Sequence, residues 1–187
     1  MSIRHSRRFL SAVAVAVTVV IALPAHAALK MGAMAPDFSA PASMGGREFD
    51  YRLSQALSQG PVVLYFYPAA FTKGCTIEAH AFAEAVPQFK ALGATVIGVS
   101  MDPIATLDRF SVSECRSAFA VAADPDGHIT RSYDALMPGG KHADRISYVV
   151  APDGHIAMSY ASRSPEDHVT RALDAVKALK SATPASP

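Results

Sequence analysis

The residues best placed to do chemistry lie around Cys75, which follows an apolar run, "PVVLYFYP", that ends at Pro68. The run predicts a buried strand, which the proline terminates, and the next helix is predicted to begin near Thr76. Cys75 therefore falls at a helix N-terminus, where free N–H groups and the helix dipole favour negative charge. The thiolate is the nucleophilic form of cysteine, so this placement predicts a reactive thiol. Thr72, three residues earlier, can turn its hydroxyl towards the sulfur or its target.

The first 27 residues are predicted to be a signal peptide and no part of the fold. A basic segment, "MSIRHSRR", precedes an apolar one, "FLSAVAVAVTVVIAL", and Ala25 and Ala27 give the small-x-small pattern of a cleavage site. The apolar segment is shorter than the about 20 residues of a membrane span, although an uncleaved anchor is the alternative. We expect cleavage after Ala27, a periplasmic or secreted protein, and no membrane association after cleavage.

Composition narrows the class of protein further. A chain of 187 residues is long enough for one domain with a sizeable core. The net charge of +1, from 17 basic and 16 acidic residues, argues against nucleic acid as a partner. The chain has two cysteines, Cys75 and Cys115. An even count in an oxidising compartment also suggests a structural disulfide, which is the alternative to a reactive thiol.

The elements that must position these residues form one predicted α/β domain over residues 28–180, with a sheet between two layers of helices. A short hairpin or an extended arm is predicted around Gly45-Gly46, and "ATVIGVSMD" is a second buried strand. A helix is predicted to open with Asp102 as its N-cap and Pro103 at its first position. A late hairpin turns at "APDG", and an amphipathic helix follows Ser164. Residues 181–187 are predicted to be a disordered tail.

Pro68, Thr72 and Cys75 form the pattern P-x-x-x-T-x-x-C, which resembles the active-site signature of the peroxiredoxins. The segments "MGAMAPDF", "VIGVSMDP" and "DRISYVVAPDG" resemble, in order, blocks of the bacterioferritin comigratory protein or peroxiredoxin Q branch. The resemblance covers residues 31–180 and implies a thioredoxin-like fold. It also implies a monomeric thiol peroxidase that reduces hydrogen peroxide and organic hydroperoxides, with electrons from thioredoxin, a similar dithiol or a small thiol.

The resemblance also implies residue roles. Cys75 resembles the peroxidatic cysteine, Thr72 the residue that holds the peroxide, and Pro68 the residue that shields the sulfur. Arg145 resembles the arginine that stabilises the thiolate and the leaving oxygen, and Glu78 is a candidate to hold it. Each has a simpler alternative: Thr72 as an N-cap only, Arg145 as a surface cation, and Glu78 as an ordinary first-turn carboxylate.

The second cysteine departs from the pattern of this branch. Many members carry it five residues after the first, where this chain has His80, which is a solvated helix residue or a catalytic base. Cys115, near the end of the next predicted helix, is our candidate resolving residue. It would attack the sulfenic acid and form a transient Cys75–Cys115 disulfide after local unwinding. The alternatives are an enzyme resolved by an external thiol and an inert, buried Cys115.

Two other functions remain open from the sequence. A thioredoxin-like disulfide exchange protein would share the fold and the compartment, but Cys75 is followed by Thr-Ile-Glu and so lacks the C-x-x-C motif. A non-enzymatic domain stapled by a disulfide would leave the motif spacing unexplained. No metal or cofactor is predicted, because the histidines lack ligand spacing and no Gly-rich phosphate loop occurs. We expect the histidines at 128, 142, 155 and 168 in turns or on exposed faces.

Overall fold

Residues 28–182, which a computed structural model describes, form one sheet with helices on both sides. The strands are β1 (Ser39–Met44), β2 (Arg47–Arg52), β3 (Val62–Phe66), β4 (Thr95–Ser100), β5 (Ala120–Ala123), β6 (Ile146–Val150) and β7 (Ile156–Ala161). The helices are α1 (Leu53–Leu57), α2 (Lys73–Ala91), α3 (Ile104–Ser113), α4 (His128–Ser132) and α5 (Glu166–Ala182). The predicted α/β domain is confirmed, as are both hairpins.

The seven strands form one mixed sheet in the order β2-β1-β5-β4-β3-β6-β7. Strands β3, β4 and β5 are parallel and lie at the centre, while the two hairpins pair antiparallel at the edges. Every residue of β3 is buried, as expected for a central strand with helices on both faces. The loop that follows β3 therefore starts from a fully buried strand inside the sheet.

Two apolar cores lie on opposite faces of the sheet. One is formed with helices α2, α3 and α5, and it contains both cysteines. The other is covered by the short helices α1 and α4. The first core holds a row of aromatic rings, in which Tyr65 stacks on Phe82 with centroids 4.4 Å apart. Gly98 makes room for this row, since a Cβ there would lie 2.8 Å from the Tyr65 ring.

The boundaries differ from the prediction in three places. Helix α2 begins at Lys73 instead of near Thr76, which places Cys75 within its first turn, and it continues unbroken through Pro87. Helix α3 ends at Ser113, so Cys115 lies in the turn that follows it. Helix α5 continues to Ala182, past the predicted boundary at 180. The predicted signal peptide (1–27) and the rest of the predicted tail (183–187) lie outside the described residues.

Among the described helices, none combines the length and the apolar character that crossing a membrane requires.

Candidate active site

The loop between β3 and α2 carries the sequence motif. The backbone N–H of Tyr67 still donates to Val99, 3.2 Å away, so the strand pairing persists up to Pro68. Pro68, which has no N–H to donate, is half-buried at the point where the chain leaves the sheet. Phe71 has a φ of 64°, a left-handed conformation that is uncommon outside glycine. This turn directs the chain into α2, and the Phe71 ring packs edge-on against Phe110.

Asp102 anchors this loop from the neighbouring strand end. Its carboxylate accepts hydrogen bonds from the backbone N–H of Ala70 and the hydroxyl of Ser100, both at 2.8 Å. The sequence predicted Asp102 as the N-cap of α3, which is wrong: the residue before that helix is Pro103, and no side chain caps it. Asp102 instead holds the motif loop to the end of β4.

Thr72 precedes the first residue of α2, but its hydroxyl makes no capping hydrogen bond. The hydroxyl donates to the carbonyl oxygen of Ala69, 2.9 Å away. The interpretation of Thr72 as only an N-cap is therefore wrong for its side chain. The residue is exposed, and because its hydrogen is used by Ala69, its lone pairs are free to accept a hydrogen bond.

Arg145 reaches Cys75 from the start of β6. Its Nη2 lies 3.5 Å from the Cys75 Sγ, and both side chains are buried, with Arg145 only 6% exposed. The alternative of a surface cation is therefore wrong. The close approach depends on Gly74, because a Cβ there would lie 3.0 Å from Nη2. The Nε of Arg145 donates to the carbonyl of Arg163, 3.1 Å away, which fixes the plane of the guanidinium.

Glu78 is completely buried one turn after Cys75 and pairs with Nη1 of Arg145. Burial raises the pKa of Glu78 to about 8, although the charge of Arg145 and its hydrogen bond oppose the rise. Burial also acts to lower the pKa of Arg145, but Glu78 and Cys75 outweigh it and the pKa is raised. Glu78 is therefore a partner of Arg145 and more than a carboxylate at the first turn of a helix.

His168 is the clearest error of the sequence prediction, which placed it on an exposed face. It is fully buried on α5, where its Nδ1 lies 2.8 Å from the Ser147 hydroxyl and its Nε2 lies 3.0 Å from the Ser162 carbonyl. Its Nδ1 is 3.7 Å from Glu78. Burial lowers the pKa of His168, which favours the neutral ring. The histidine thus packs behind the Glu78–Arg145 pair.

Cys115 lies in the same core as Cys75, and both are free thiols. It is fully buried, and burial raises the pKa of its thiol, with the charge of Glu114 adding to the effect. Burial likewise raises the pKa values of Tyr65 and Tyr67, and both thiols add to this rise. The two tyrosines therefore lie within electrostatic reach of both sulfurs.

The structure brings Cys75, Arg145 and Glu78 into contact and places Thr72 and Pro68 at the entrance to the same helix. Sequence reasoning missed the roles of Asp102, Gly74 and His168. A signal existed only for His168, which lies four and eight residues before Ala172 and Val176 on the buried stripe of α5.

A central mixed sheet, with a buried thiol in the first turn of a helix and an arginine beside it, defines a thioredoxin-like thiol enzyme. The AhpC/TSA family model matches residues 31–159. A Mycobacterium tuberculosis protein named as a peroxiredoxin is 32% identical over 161 residues, which are 82% of this chain and 99% of the relative. The chain belongs to the AhpC/TSA family of peroxiredoxins.

Solved structures agree with this assignment. The peroxidoxin BcpB of Mycobacterium tuberculosis is similar at a TM-score of 0.74 and 31% identity, over 81% of this chain and 98% of that one. Peroxiredoxin Q of Xanthomonas campestris is similar at a TM-score of 0.66 and 29% identity, over 75% of this chain and 90% of that one. The predicted thioredoxin-like fold and the predicted family are confirmed.

Proposed function

We propose that Cys75 is the residue at which this thiol-dependent peroxidase reacts with hydrogen peroxide and organic hydroperoxides. The observation that carries the proposal is the Arg145 guanidinium 3.5 Å from a thiol in the first turn of α2. Both the arginine and the helix N-terminus favour the thiolate. These two groups stabilise a thiolate that would otherwise be disfavoured in a buried core.

The first step is the attack of the Cys75 thiolate on one peroxide oxygen. The S–O bond forms as the O–O bond breaks, and the other oxygen leaves as an alkoxide or hydroxide that takes up a proton. Arg145 is positioned to stabilise this developing negative charge. The Thr72 hydroxyl oxygen is proposed to accept a hydrogen bond from the peroxide O–H, since its own hydrogen is donated to the carbonyl of Ala69. Pro68 is proposed to shield the sulfur from bulk water, as the resemblance implies.

The sulfenic acid is then converted to a disulfide by Cys115. The Cys115 sulfur attacks the Cys75 sulfur, the S–S bond forms, the S–O bond breaks, and water is released. A dithiol carrier of the thioredoxin type, or a small thiol, supplies two electrons that restore both thiols. Because Cys115 is buried in the reduced structure, this step requires local opening of the turn that carries it.

The protein is proposed to act as a monomer outside the cytoplasm, after removal of residues 1–27. The support for export is the basic, apolar and small-residue order of the N-terminal sequence. N-terminal sequencing of protein from a periplasmic fraction tests this part, and a chain that begins at Ala28 is the expected result. A protein in the membrane fraction that still begins at Met1 would contradict cleavage and show that the N-terminal segment is an uncleaved anchor.

The test of the chemistry is peroxide loss from an equimolar mixture of hydrogen peroxide and reduced mature protein. Wild type should consume one equivalent rapidly, and Cys75→Ser should consume none above the background. A matched control is Cys115→Ser, which keeps Cys75 and should consume its equivalent at the wild-type rate. Equal, slow loss with wild type and Cys75→Ser would remove Cys75 as the site of reaction.

A further inference from the structure

The turn after α3 that carries Cys115 has an unusual backbone. Arg116 and Ser117, which follow the cysteine, have φ values of 51° and 53°. Two successive non-glycine residues in the left-handed region are uncommon, and such strain persists only where surrounding contacts impose it. Hydrogen bonds close the turn, from the N–H of Ser117 to Ser111 and from the N–H of Ala118 to Cys115, both at 2.9 Å.

A histidine–carboxylate contact and an ion pair join this turn to α2, the helix whose first turn holds the proposed reactive thiol. The Nε2 of His80 lies 2.9 Å from Glu114, and the Nη1 of Arg116 lies 3.0 Å from Glu84. His80 and Glu84 are four residues apart, so they lie on one face of α2. Glu114 and Arg116 are the two chain neighbours of Cys115. The buried cysteine is therefore held on both sides.

The two pairs differ in exposure. The side chains of His80 and Glu114 are 37% and 19% exposed, whereas those of Arg116 and Glu84 are 49% and 67% exposed. Since solvent weakens polar contacts, the less exposed His80–Glu114 contact is expected to hold the turn more strongly.

We propose that these four residues form a clasp that keeps Cys115 buried and sets the rate at which it reaches the oxidised Cys75. They are positioning residues, since they act through Cys115 and touch no reacting atom. Unwinding of the start of α2 would move His80 away from Glu114 and so release the turn. The clasp thereby couples unwinding of the helix start that carries Cys75 to opening of the turn that carries Cys115. This inference rests on the proposed resolving role of Cys115.

The first test avoids peroxide chemistry. In a Cys75→Ser background, the only remaining thiol is Cys115, and its rate of labelling by iodoacetamide reports how often the turn opens. Glu114→Gln and Glu84→Gln should each label about two- to five-fold faster, the range that exposed ion pairs allow. Asp174→Asn, which breaks the exposed pair with Lys177 on α5, is the matched control and should label at the unchanged rate.

Exchanging the charges of Glu84 and Arg116 tests whether the pair, and not either residue alone, holds the turn. The double variant with Glu84→Arg and Arg116→Glu restores the pair in reverse and should return labelling to within about two-fold of the background rate. Each single reversal should label faster. Equal labelling in all variants, with melting temperatures unchanged, would overturn the clasp.

The second test uses the complete two-cysteine protein. After one equivalent of hydrogen peroxide, Glu114→Gln should form the disulfide faster than wild type by the same factor and consume peroxide at the same rate. Disulfide formation at the wild-type rate in a variant that labels faster would also overturn the proposal. If wild type formed no disulfide at all, the resolving role of Cys115 would fail, and labelling would still measure the clasp.

Discussion

Cys75 and Cys115 are both buried in the core formed by the sheet with α2, α3 and α5, but different groups surround them. Cys75 lies in the first turn of a helix with a guanidinium nitrogen 3.5 Å from its sulfur. Cys115 lies after the end of a helix, with the carboxylate of Glu114 as the charge that acts on it. Burial raises the pKa of Cys115, so it remains a thiol where it lies.

The comparison shows that burial alone does not decide what a cysteine does. An isolated thiolate is disfavoured in an apolar core, whereas one beside a fixed cation and a helix N-terminus is stabilised. The same core therefore holds one thiol beside a fixed cation and one beside a carboxylate, and the proposed resolving role requires the second to move first. Four predictions test this contrast, from the largest expected effect to the smallest.

Cys115→Ser should abolish the intramolecular disulfide completely and leave the first turnover at the wild-type rate. The reason is that Cys115 takes no part in the attack on peroxide. Non-reducing electrophoresis and mass spectrometry after one equivalent of peroxide measure the product, which should be a sulfenic acid on Cys75. A wild-type protein that carried two modified thiols and no disulfide would contradict the resolving role.

Arg145→Met should slow the first turnover by roughly 100- to 1,000-fold, because removing one preorganised donor to a developing oxyanion has an effect of that size. Single-turnover kinetics with hydrogen peroxide measure the rate, and circular dichroism checks the fold. Arg47→Met, at an exposed position on β2, is the control and should react normally. Near-normal turnover in Arg145→Met would show that the guanidinium does not account for the difference between Cys75 and Cys115.

Glu78→Gln should lower the free energy of unfolding by about 2 kcal/mol, the scale of a hydrogen bond to a charged group, because the buried Nη1 of Arg145 loses its carboxyl acceptor. Urea denaturation of the reduced protein measures the change. Glu48→Gln, on the exposed face of β2, should change it by less than about 0.5 kcal/mol. A variant as stable as wild type would show that the pair serves only to orient Arg145.

His168→Gln should reduce the acid sensitivity of the fold. Burial lowers the pKa of His168 below its usual 6.5, so below that pH the unfolded chain binds a proton that the folded chain does not. Wild type should thereby lose at most about 1 kcal/mol between pH 6.5 and 5.5, through this residue. Glu78, with its raised pKa, contributes with the opposite sign in both proteins.

The comparison of the two pH profiles therefore isolates the histidine. Urea unfolding at each pH gives the free energies, and His155→Gln, at an exposed position, is the control. Parallel profiles for wild type and His168→Gln would mean that the ring is equally protonated in both states.

What could be predicted from the sequence was local. The apolar run, Pro68 and the cysteine that follows specify a strand, a loop and the first turn of a helix, and the structure has all three. Arg145 lies 70 residues from Cys75 (145 − 75), and nothing in its own surroundings predicts burial. Its place was predicted only through the resemblance. Asp102 was missed because its side chain reaches back 32 residues to Ala70, a contact that no local pattern encodes.

The pairing of β6 with β3 has a consequence for when the enzyme becomes active. Ile146 lies opposite Phe66 in this antiparallel pair, and Arg145 precedes it by one residue. A slip of one residue would turn every side chain of β6 to the other face of the sheet and carry the guanidinium away from the sulfur. A chain that has folded only its first half has the cysteine but not the cation. Peroxide consumption would then report that the sheet has been completed in the correct register, which a measure of helix content cannot distinguish from a shifted one.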